Sequence, residues 1–365
     1  MVVSFIQNLL APKEKFIPLL PKTEIQKIKN LIMNTSHTAL VILSDERLII
    51  EEIKSETERK NKNNVTRTKA YLDYYKTTQE IEWAFLAHMV SRNAGYHMTD
   101  LKGEILPSFL DEDTAKNFFL FLEKANAFIF HDAFPQLLLY KKSIEKKKPL
   151  FHLLPAFGVS KAMSVFWERF WNDGDKRVLA LGLIINEQSM LQTRLVAQIQ
   201  EDYVYEKFLF YLQDRLEWTT VFFPYKKSKQ TGGPYLLAGT TISYFENTEE
   251  RINIGKKLYS ILFLKQPIYR SAFHYAMNTP HTGSRSDYWP KSYSHEKTAK
   301  KIFSPQLESV WHSIDHSFSY EDWVKSDTIH YIDVLETLPV TVHFDVTPRA
   351  SLIVKLSSDY KSLST

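Results

Sequence analysis

The segment "PHTGSRSDYWP", residues 280–290, gathers side chains that could bind an anion or move a proton. Arg285 could hold a phosphate or carboxylate through two parallel hydrogen bonds, and Ser284 adds a hydroxyl beside exposed backbone amides. His281 could donate a proton, and Asp287 could orient either basic neighbour. The same residues also suit a turn that is stabilised by its Asp and pinned to the core by its aromatic pair. Both interpretations stay open on sequence alone, since polar loop residues often serve binding or catalysis.

Two apolar helical stretches each carry an ionisable residue. In "AFLAHMVSRNAGYH", helical spacing places His88, Ser91 and Arg92 on one stripe. Burying a guanidinium alone costs several kcal/mol, so Arg92 must meet a carboxylate, helix carbonyls or a ligand. In "VLALGLIINEQSML", Glu187 is predicted to point into the core, either with a raised pKa that suits an acid or base or held ionised by a cation. A structural ion pair is the alternative for both charged residues.

Two pairs of residues that contain histidine could take part in acid–base or metal chemistry. His131 and Asp132 are predicted to join two consecutive helices, with Asp132 capping the second. His131 then either fills a corner or lines a cleft as an acid or base. His312 and His316 have a spacing that can hold a metal, but the general-base Glu of zinc proteases and a third ligand are missing. The sequence therefore predicts no metal site.

Helical periodicity and capping residues predict the elements that position these side chains. Asp111 is expected to cap a long helix, and "PVTVHFDVTPRASLIVKL" alternates as a strand pair would. The predicted fold is mainly α, a large irregular multi-helix domain with a small C-terminal β-hairpin. Residues 1–62 are predicted to be an N-terminal helical attachment with a charged connector, 63–335 the main α-helical domain, and 336–365 the strand pair and tail.

Several longer motifs lie between residues 63 and 290. They are "NVTRTKAYLDYYKTTQEIEWAFLAHMVSRNAGYHMTDLKG", "FHDAFPQLLLY", "LFHLLPAFGVS", "LIINEQ" and "PHTGSRSDYWP". Together they resemble the YppC-like family of uncharacterised proteins from Gram-positive bacteria. That family is defined by similarity alone, so the resemblance implies no activity and no site residue.

Composition places the chain among ordinary soluble proteins. Hydrophobic residues make up 44% and charged residues 24%, while 14% aromatic residues predict a ring-filled interior. The absence of cysteine excludes disulfides and thiolate sites and fits a reducing compartment. The longest apolar run, Val178–Ile185, is far shorter than the roughly 20 residues of a membrane-spanning helix. The opening "MVVSFIQNLLAPKEKF" lacks a secretory pattern, so we expect a cytoplasmic protein without membrane contact.

The charge balance bears on possible partners. A net charge of +4 is too small to imply nucleic acid by itself. Two lysine-rich runs, Lys141–Lys148 and Lys226–Lys229, are predicted to be solvated, so a nucleic-acid partner is not favoured. A small anionic ligand is the expected partner, and the sequence identifies neither a cofactor nor an oligomeric state.

Two functional hypotheses follow from these residues. In the first, a polar, anion-binding site makes the protein a hydrolase or lyase acting on a phosphate- or carboxylate-bearing ligand. In the second, the same groups bind a small anion, nucleic acid or protein partner without catalysis, on a structural buried polar network. The predicted catalytic residues are Glu187, His281 and His131, and the predicted ligand-binding residues are Arg92, Arg285, His88, Asp287 and Ser284.

Overall fold

A computed structural model describes residues 15–35, 42–196, 220–226, 235–241, 247–298, 300–341 and 344–364. Over these residues the chain is mainly helical, which confirms the predicted fold class. The helices are α1 (Lys22–Asn34), α2 (Ser44–Lys60), α3 (Asn64–Thr77), α4 (Glu82–Asp100), α5 (Glu112–Lys146), α6 (Lys161–Asp173), α7 (Lys176–Leu191), α8 (Thr248–Phe263), α9 (Gln266–Asn278), α10 (Leu307–Val310) and α11 (Thr347–Ser364).

Shorter elements connect the helices. Single 3₁₀ segments lie at Leu106–Ser108, Phe151–Phe157, Arg285–Asp287 and Ile329–Glu336, and a π-helical turn, Gln192–Val196, continues α7. The described strands pair two by two. The pairs are β1 (Lys15–Pro18) with β6 (Thr337–Val340), antiparallel; β2 (Thr220–Tyr225) with β3 (Leu236–Thr241), antiparallel; and β4 (Tyr293–Ser294) with β5 (Ile302–Phe303), parallel.

Strand structure forms near the C-terminus, but its partner differs from the expected one. β6 pairs with β1, so Leu338 lies opposite Ile17 from the other end of the chain. Farther on, Asp345 makes a single bridge to Ala238 of β3, and the following residues form α11 rather than a second strand. A β-branched, alternating composition sets only a local preference, and the available strand edge decides the pairing.

Helix α5 runs unbroken through His131 and Asp132, so the predicted junction between two helices at this point is wrong. Asp111 caps the helix as expected, because its side chain accepts from the Thr114 amide. Asp132 is instead a buried mid-helix residue, and Pro135 lies in the interior of α5. A mid-helix proline costs about 3 kcal/mol. Here it is tolerated because the turns on both sides bury apolar faces against neighbouring helices.

The interior is filled with rings, as the composition predicts. Tyr71 of α3 packs edge-on to Trp83 of α4 at 5.6 Å and against Phe130 of α5 at 5.1 Å. Phe130 stacks in turn on Phe134 at 4.4 Å. Helix α7 lies against α4, α5, α6 and α8, and its residues Val178–Asn186 are all buried. The apolar run identified in the sequence thus lies in the central helix of the described core.

One ion pair is sealed inside the helical core. Arg67 of α3 donates from Nη2 to Glu123 Oε2 of α5 at 2.5 Å, and the two side chains are only 1% and 2% exposed. Arg67 Nη1 also donates to Asn61 Oδ1 at 3.2 Å. A buried charge is tolerated only while its partner remains, so this pair fixes the register between α3 and α5.

The segment 311–325 has no regular secondary structure and is attached at both ends. Trp311 stacks on Phe119 of α5 with ring centroids 4.0 Å apart. At the other end, Trp323 Nε1 donates to Asn186 Oδ1 of α7 at 2.9 Å. The residues between these anchors therefore cross the surface of the helical domain under constraint.

We expect Arg67→Met and Glu123→Leu each to lower the free energy of unfolding by about 3 to 5 kcal/mol, because each strands a buried charge. The double variant should cost much less than the sum of the two. Chemical denaturation measures both. Lys69→Ala is the control on the same helix, since its pair with Asp73 is solvent-exposed and contributes about 0.5 kcal/mol or less. Strictly additive single effects would contradict the pairing.

Candidate functional site

The guanidinium of Arg92 is buried and fully engaged by the protein. Its Nη1 donates to the Thr279 carbonyl at 2.7 Å, and its Nε donates to the Tyr96 hydroxyl at 3.3 Å. Nη2 lies 3.7 Å from Asp287 Oδ2, and the group sits 4.9 Å from the centroid of the Tyr275 ring. The expectation that Arg92 must find partners is confirmed, and carbonyls, tyrosines and a carboxylate supply them.

Arg285 forms a two-pronged ion pair within the protein. Its Nε lies 2.9 Å and its Nη2 2.6 Å from Asp100 Oδ2, the side chains being 14% and 11% exposed. Burial raises the pKa of Asp100, against the opposing effect of the guanidinium. The neighbouring Ser284 hydroxyl is buried and donates to the Ser304 carbonyl at 2.6 Å. The Arg285 guanidinium, which was predicted to bind a ligand anion, thus binds the carboxylate of Asp100, the last residue of α4.

His281 and Asp287 lie side by side under the same loop. His281 Nε2 is 2.8 Å from Asn64 Oδ1, and its Nδ1 is 3.6 Å from Asp287 Oδ2. Asp287 also accepts from the amide and hydroxyl of Thr282 at 3.0 and 2.8 Å. Desolvation lowers the pKa of His281 to about 4, although Asp287 opposes the shift. The imidazole is therefore neutral at neutral pH and forms part of a buried polar network.

That polar network continues between α3 and α4. Asn64 Nδ2 donates to the Ser91 carbonyl at 2.9 Å, and the hydroxyls of Ser91 and Thr68 are 2.6 Å apart. His88 Nδ1 contacts the Thr68 carbonyl at 2.8 Å, and desolvation lowers the pKa of His88 well below its ordinary value. Helix α4 passes so closely here that a Cβ on Gly95 would overlap Asn64 and His281.

The predicted cluster of Arg92, Glu187, His281 and Arg285 divides into two places. The loop residues gather with Arg92 around Tyr96 and Asp287, as described above. Glu187 lies on α7, partly exposed, and accepts from Gln188 Nε2 at 2.6 Å. Desolvation raises the pKa of Glu187 to about 7. Within the described residues, none of its hydrogen bonds or ion pairs reaches the loop.

An open cleft of about 240 Å³ lies where α2, α5, the π-helical turn and residues 318–320 meet. Four of its lining residues are acidic or basic: Lys54, Glu58, His131 and Arg194. His131 is the predicted site residue found here. Lys54, Glu58 and Arg194 come from segments that are far apart in the sequence, so no local pattern indicates that they line one cleft. They were therefore not predicted as site residues.

Arg194 is held rigidly at the edge of this cleft. The π-helical turn that carries it is a local widening of a kind often found at functional sites. Its Nε and Nη2 both donate to the Glu321 carbonyl, at 3.0 and 2.7 Å, and its guanidinium lies 5.2 Å from the Phe128 ring and 5.3 Å from the Tyr320 ring. No hydrogen bond from Nη1 occurs among the described residues.

His131 presents an uncharged imidazole to the same cleft. Its ring lies 4.9 Å from the Phe318 ring, and neither ring nitrogen is hydrogen-bonded within the described parts of the chain. Desolvation lowers its pKa, and the nearby charge of Arg194 lowers it further. Pro135, which also lines the cleft, has no N–H, so the His131 carbonyl lacks its usual donor one turn later.

Lys54 and Glu58 complete the polar wall from helix α2. They are four residues apart and therefore share a helix face. Both are exposed, and neither forms an ion pair among the residues that the structure describes. This stretch belongs to the predicted charged connector, because its solvated composition does not reveal the cleft beneath it.

Asp132, the residue after His131, is the buried carboxylate of α5. Its Oδ2 accepts from Asn186 Nδ2 at 2.6 Å and from Gln136 Nε2 at 2.9 Å. Its Oδ1 has no partner in the described part of the molecule. Desolvation raises the pKa of Asp132 to about 7, against the opposing effects of Arg194 and the two amides.

The described residues contain no group of three or more His, Cys, Asp or Glu side chains that could hold a metal ion. His312 and His316 have the spacing of a metal-binding pair but lie in different surroundings. His316 lies near Glu123, with Nε2 and Oε1 3.9 Å apart, whereas His312 is exposed. No helix in the same ranges is both long and apolar enough to cross a bilayer.

Comparison with known proteins identifies the family. A model described as "Protein of unknown function (DUF2515)" matches residues 59–341. The chain belongs to this family. The uncharacterised protein YppC of Bacillus subtilis (strain 168) is 40% identical over 285 residues, which are 78% of this chain and 84% of that protein. No solved structure matches the chain significantly. The resemblance predicted from the motifs is confirmed, and the match extends past residue 290 through the segment that lines the cleft.

We expect Arg285→Ala to lower the free energy of unfolding by about 2 to 3 kcal/mol, because the mostly buried Asp100 then lacks its cation. Adding Asp100→Asn should recover part of that loss, because the neutral amide needs no counter-charge. Urea titration of the single and double variants measures the effect. Arg270→Ala, at an exposed position on α9, is the control. A single variant as stable as the control would show that the pair has no structural role.

Asp132 should make stability depend on pH. Its pKa is 3.8 ordinarily and about 7 when folded, so between these values the folded state binds more protons. The resulting stabilisation is fully present below pH 3.8 and is lost as the pH rises through 7, by at most about 1.4 kcal/mol per pH unit for one proton. Asp132→Asn imitates the protonated form and should flatten this decline. Urea unfolding from pH 4 to 8 measures how the free energy of unfolding depends on pH. Glu187→Gln serves as the corresponding variant for Glu187, the second carboxyl group whose pKa is raised. If neither variant changes the slope of stability against pH, the assignment is refuted.

Proposed function

We propose that the cleft lined by Lys54, His131 and Arg194 binds a small ligand through a phosphate or carboxylate group. This proposal rests on a difference in how the basic side chains are paired. Arg92 and Arg285 are satisfied inside the protein, whereas Lys54 and Arg194 line the cleft, and neither Lys54 nor Nη1 of Arg194 has a hydrogen-bond partner in the described chain. Donors that the fold leaves unused at a concave surface are available to a ligand.

The cleft has complementary means of holding an anion. Arg194 is fixed by the Glu321 carbonyl and two aromatic rings, so little freedom is lost when its remaining donor binds an oxygen. Lys54 adds a charge on a flexible stem that can adjust to the ligand. Glu58 on the same wall limits the total negative charge that the cleft accepts.

Catalysis as a hydrolase or lyase is the second candidate, and the state of His131 favours it. A neutral imidazole with no hydrogen bond in the described parts of the chain can accept a proton from a ligand that the adjacent Arg194 holds. Glu187 and His281, the other predicted catalytic residues, do not line this cleft. A catalytic role would therefore depend on His131.

Nucleic acid remains the less favoured partner. Within the first lysine run, Lys142 is paired with Glu52 at 2.8 Å and lies 3.6 Å from Glu145. Lys226 sits over the Tyr235 ring at 4.8 Å, and residues 227–229 of the second run lie outside the described ranges. Intramolecular pairing lowers the charge that these runs offer to phosphates.

Isothermal titration with inorganic phosphate tests the binding proposal. The wild-type chain should bind saturably, and Lys54→Gln should weaken binding about five- to tenfold, because one charged contact is lost. The matched control, Lys62→Gln, removes an exposed lysine that does not line the cleft and should leave affinity unchanged. Absence of saturable binding, or equal weakening by both variants, would overturn the proposal.

The same titration at several pH values examines His131. Because its pKa is lowered, the imidazole gains its charge only when the pH falls below the ordinary histidine range, where the added positive charge should raise phosphate affinity. His131→Gln should abolish that increase while preserving affinity at neutral pH.

A further inference from the structure

We infer that the ligand of this cleft is a small zwitterion, in which a protonated amine lies a few bonds away from the phosphate or carboxylate. The inference rests on the proposed function and adds a contact for a cationic group to the contacts for an anionic one. The observation behind it is that Glu58 lines the cleft together with Lys54 and Arg194. A carboxylate in an anion-binding cleft is unfavourable unless the ligand also brings a positive charge.

The Glu58 carboxylate has no partner of its own among the described residues, in which it forms neither a hydrogen bond nor an ion pair. Glu52 of the same helix is, by contrast, paired with Lys142 at 2.8 Å. Lys54 lies one turn before Glu58 without pairing with it, and a lysine that precedes a glutamate by four residues is the less favourable order in a helix. The oxygens of Glu58 are therefore available to a cationic group of a ligand.

Opposite charges act on the same part of the cleft. Desolvation lowers the pKa of His131, the charge of Arg194 lowers it further, and the charge of Glu58 raises it. Such effects require charged groups near the imidazole. Because Arg194 and Glu58 both lie near His131, a ligand that contacts both must carry its anionic and cationic groups on a short chain.

Charge balance favours a zwitterion over a simple anion. Lys54, Glu58 and Arg194 leave one net positive charge among the lining side chains while His131 is neutral. A phosphate monoester carries about −1.5 to −2 at neutral pH, which exceeds that charge and repels the Glu58 carboxylate. A protonated amine on the same molecule lowers the total to about −0.5 to −1 and replaces this repulsion by attraction.

The volume of the cleft limits the size of the ligand. The cleft of about 240 Å³ has the volume of about eight water molecules, at about 30 Å³ each in the liquid. A ligand of roughly eight non-hydrogen atoms, such as an amine and a phosphate joined by two carbons, fills that space. A nucleotide would extend out of it.

Isothermal titration of this chain with matched pairs of compounds tests the inference. Phosphoethanolamine and n-propyl phosphate have nearly the same shape, but only the first carries an ammonium group. β-Alanine and butyrate form the equivalent pair of carboxylates. At low ionic strength, the wild-type protein should bind the amine-bearing compound of the preferred pair about fivefold more tightly, the factor that an exposed ion pair allows. The pair that shows this preference identifies the anionic group of the ligand.

Glu58→Gln should abolish the preference for the amine. Phosphoethanolamine loses its cation contact, whereas n-propyl phosphate loses a repulsion and should bind at least as tightly as before. Glu51→Gln is the matched control and should keep the preference, since Glu51 is exposed on the same helix and does not line the cleft. Thermal unfolding of both variants verifies that they are folded.

The outcomes separate this inference from the proposed function. If the amine makes no difference in either pair, the inference fails while anion binding stands. If no phosphate or carboxylate binds, the proposed function fails and this inference fails with it. If the preference persists in Glu58→Gln, or disappears equally in Glu51→Gln, the assignment of Glu58 as the cation contact is overturned.

Discussion

A guanidinium inside an apolar helix has to be surrounded by acceptors, and Arg92 imposes this condition on much of the fold. Its partners are the carbonyl that follows α9, the hydroxyls of Tyr96 and Tyr275, and the carboxylate of Asp287. Meeting the condition brings the loop after α9 onto α4 and orders its polar side chains. The loop of residues 280–290, whose residue types most suggested binding or catalysis, therefore stabilises the buried charge of Arg92.

The partners of each arginine distinguish cations that are paired within the fold from cations that have no direct counter-charge. Arg285 is enclosed with Asp100, so its charge is already balanced within the fold. Arg194 is equally well positioned, but by a carbonyl and two rings that leave its charge uncompensated by any direct ion pair in the described residues. A positive group that is fixed and has no direct counter-charge at a cavity is the feature that supports the proposed binding of an anion. Residue type alone does not distinguish these arginines; the identity of their partners does.

The helices could be predicted because short-range rules determine them. The continuity of α5 and the residues that line the cleft depend on long-range contacts and could not be predicted. The cap at Asp111 and the need of Arg92 for partners follow from short-range rules, and the structure contains both. The predicted helix junction at His131 and Asp132 does not form, because tertiary packing keeps α5 continuous through this region and around Pro135. The cleft joins side chains from Lys54 to Tyr320, a separation at which periodicity carries no information.

The segment 311–325 gives the cleft one wall. Phe318 of this segment packs against Phe128 of α5, whereas Ser319 and Tyr320 are exposed, so substitutions at the two exposed positions should disturb helix packing least. Under the proposed function, substitution at these exposed positions would alter the lining of the cleft with little change to the scaffold. Relatives that share the fold need not share a ligand, and residues 318–320 are where their differences should be sought.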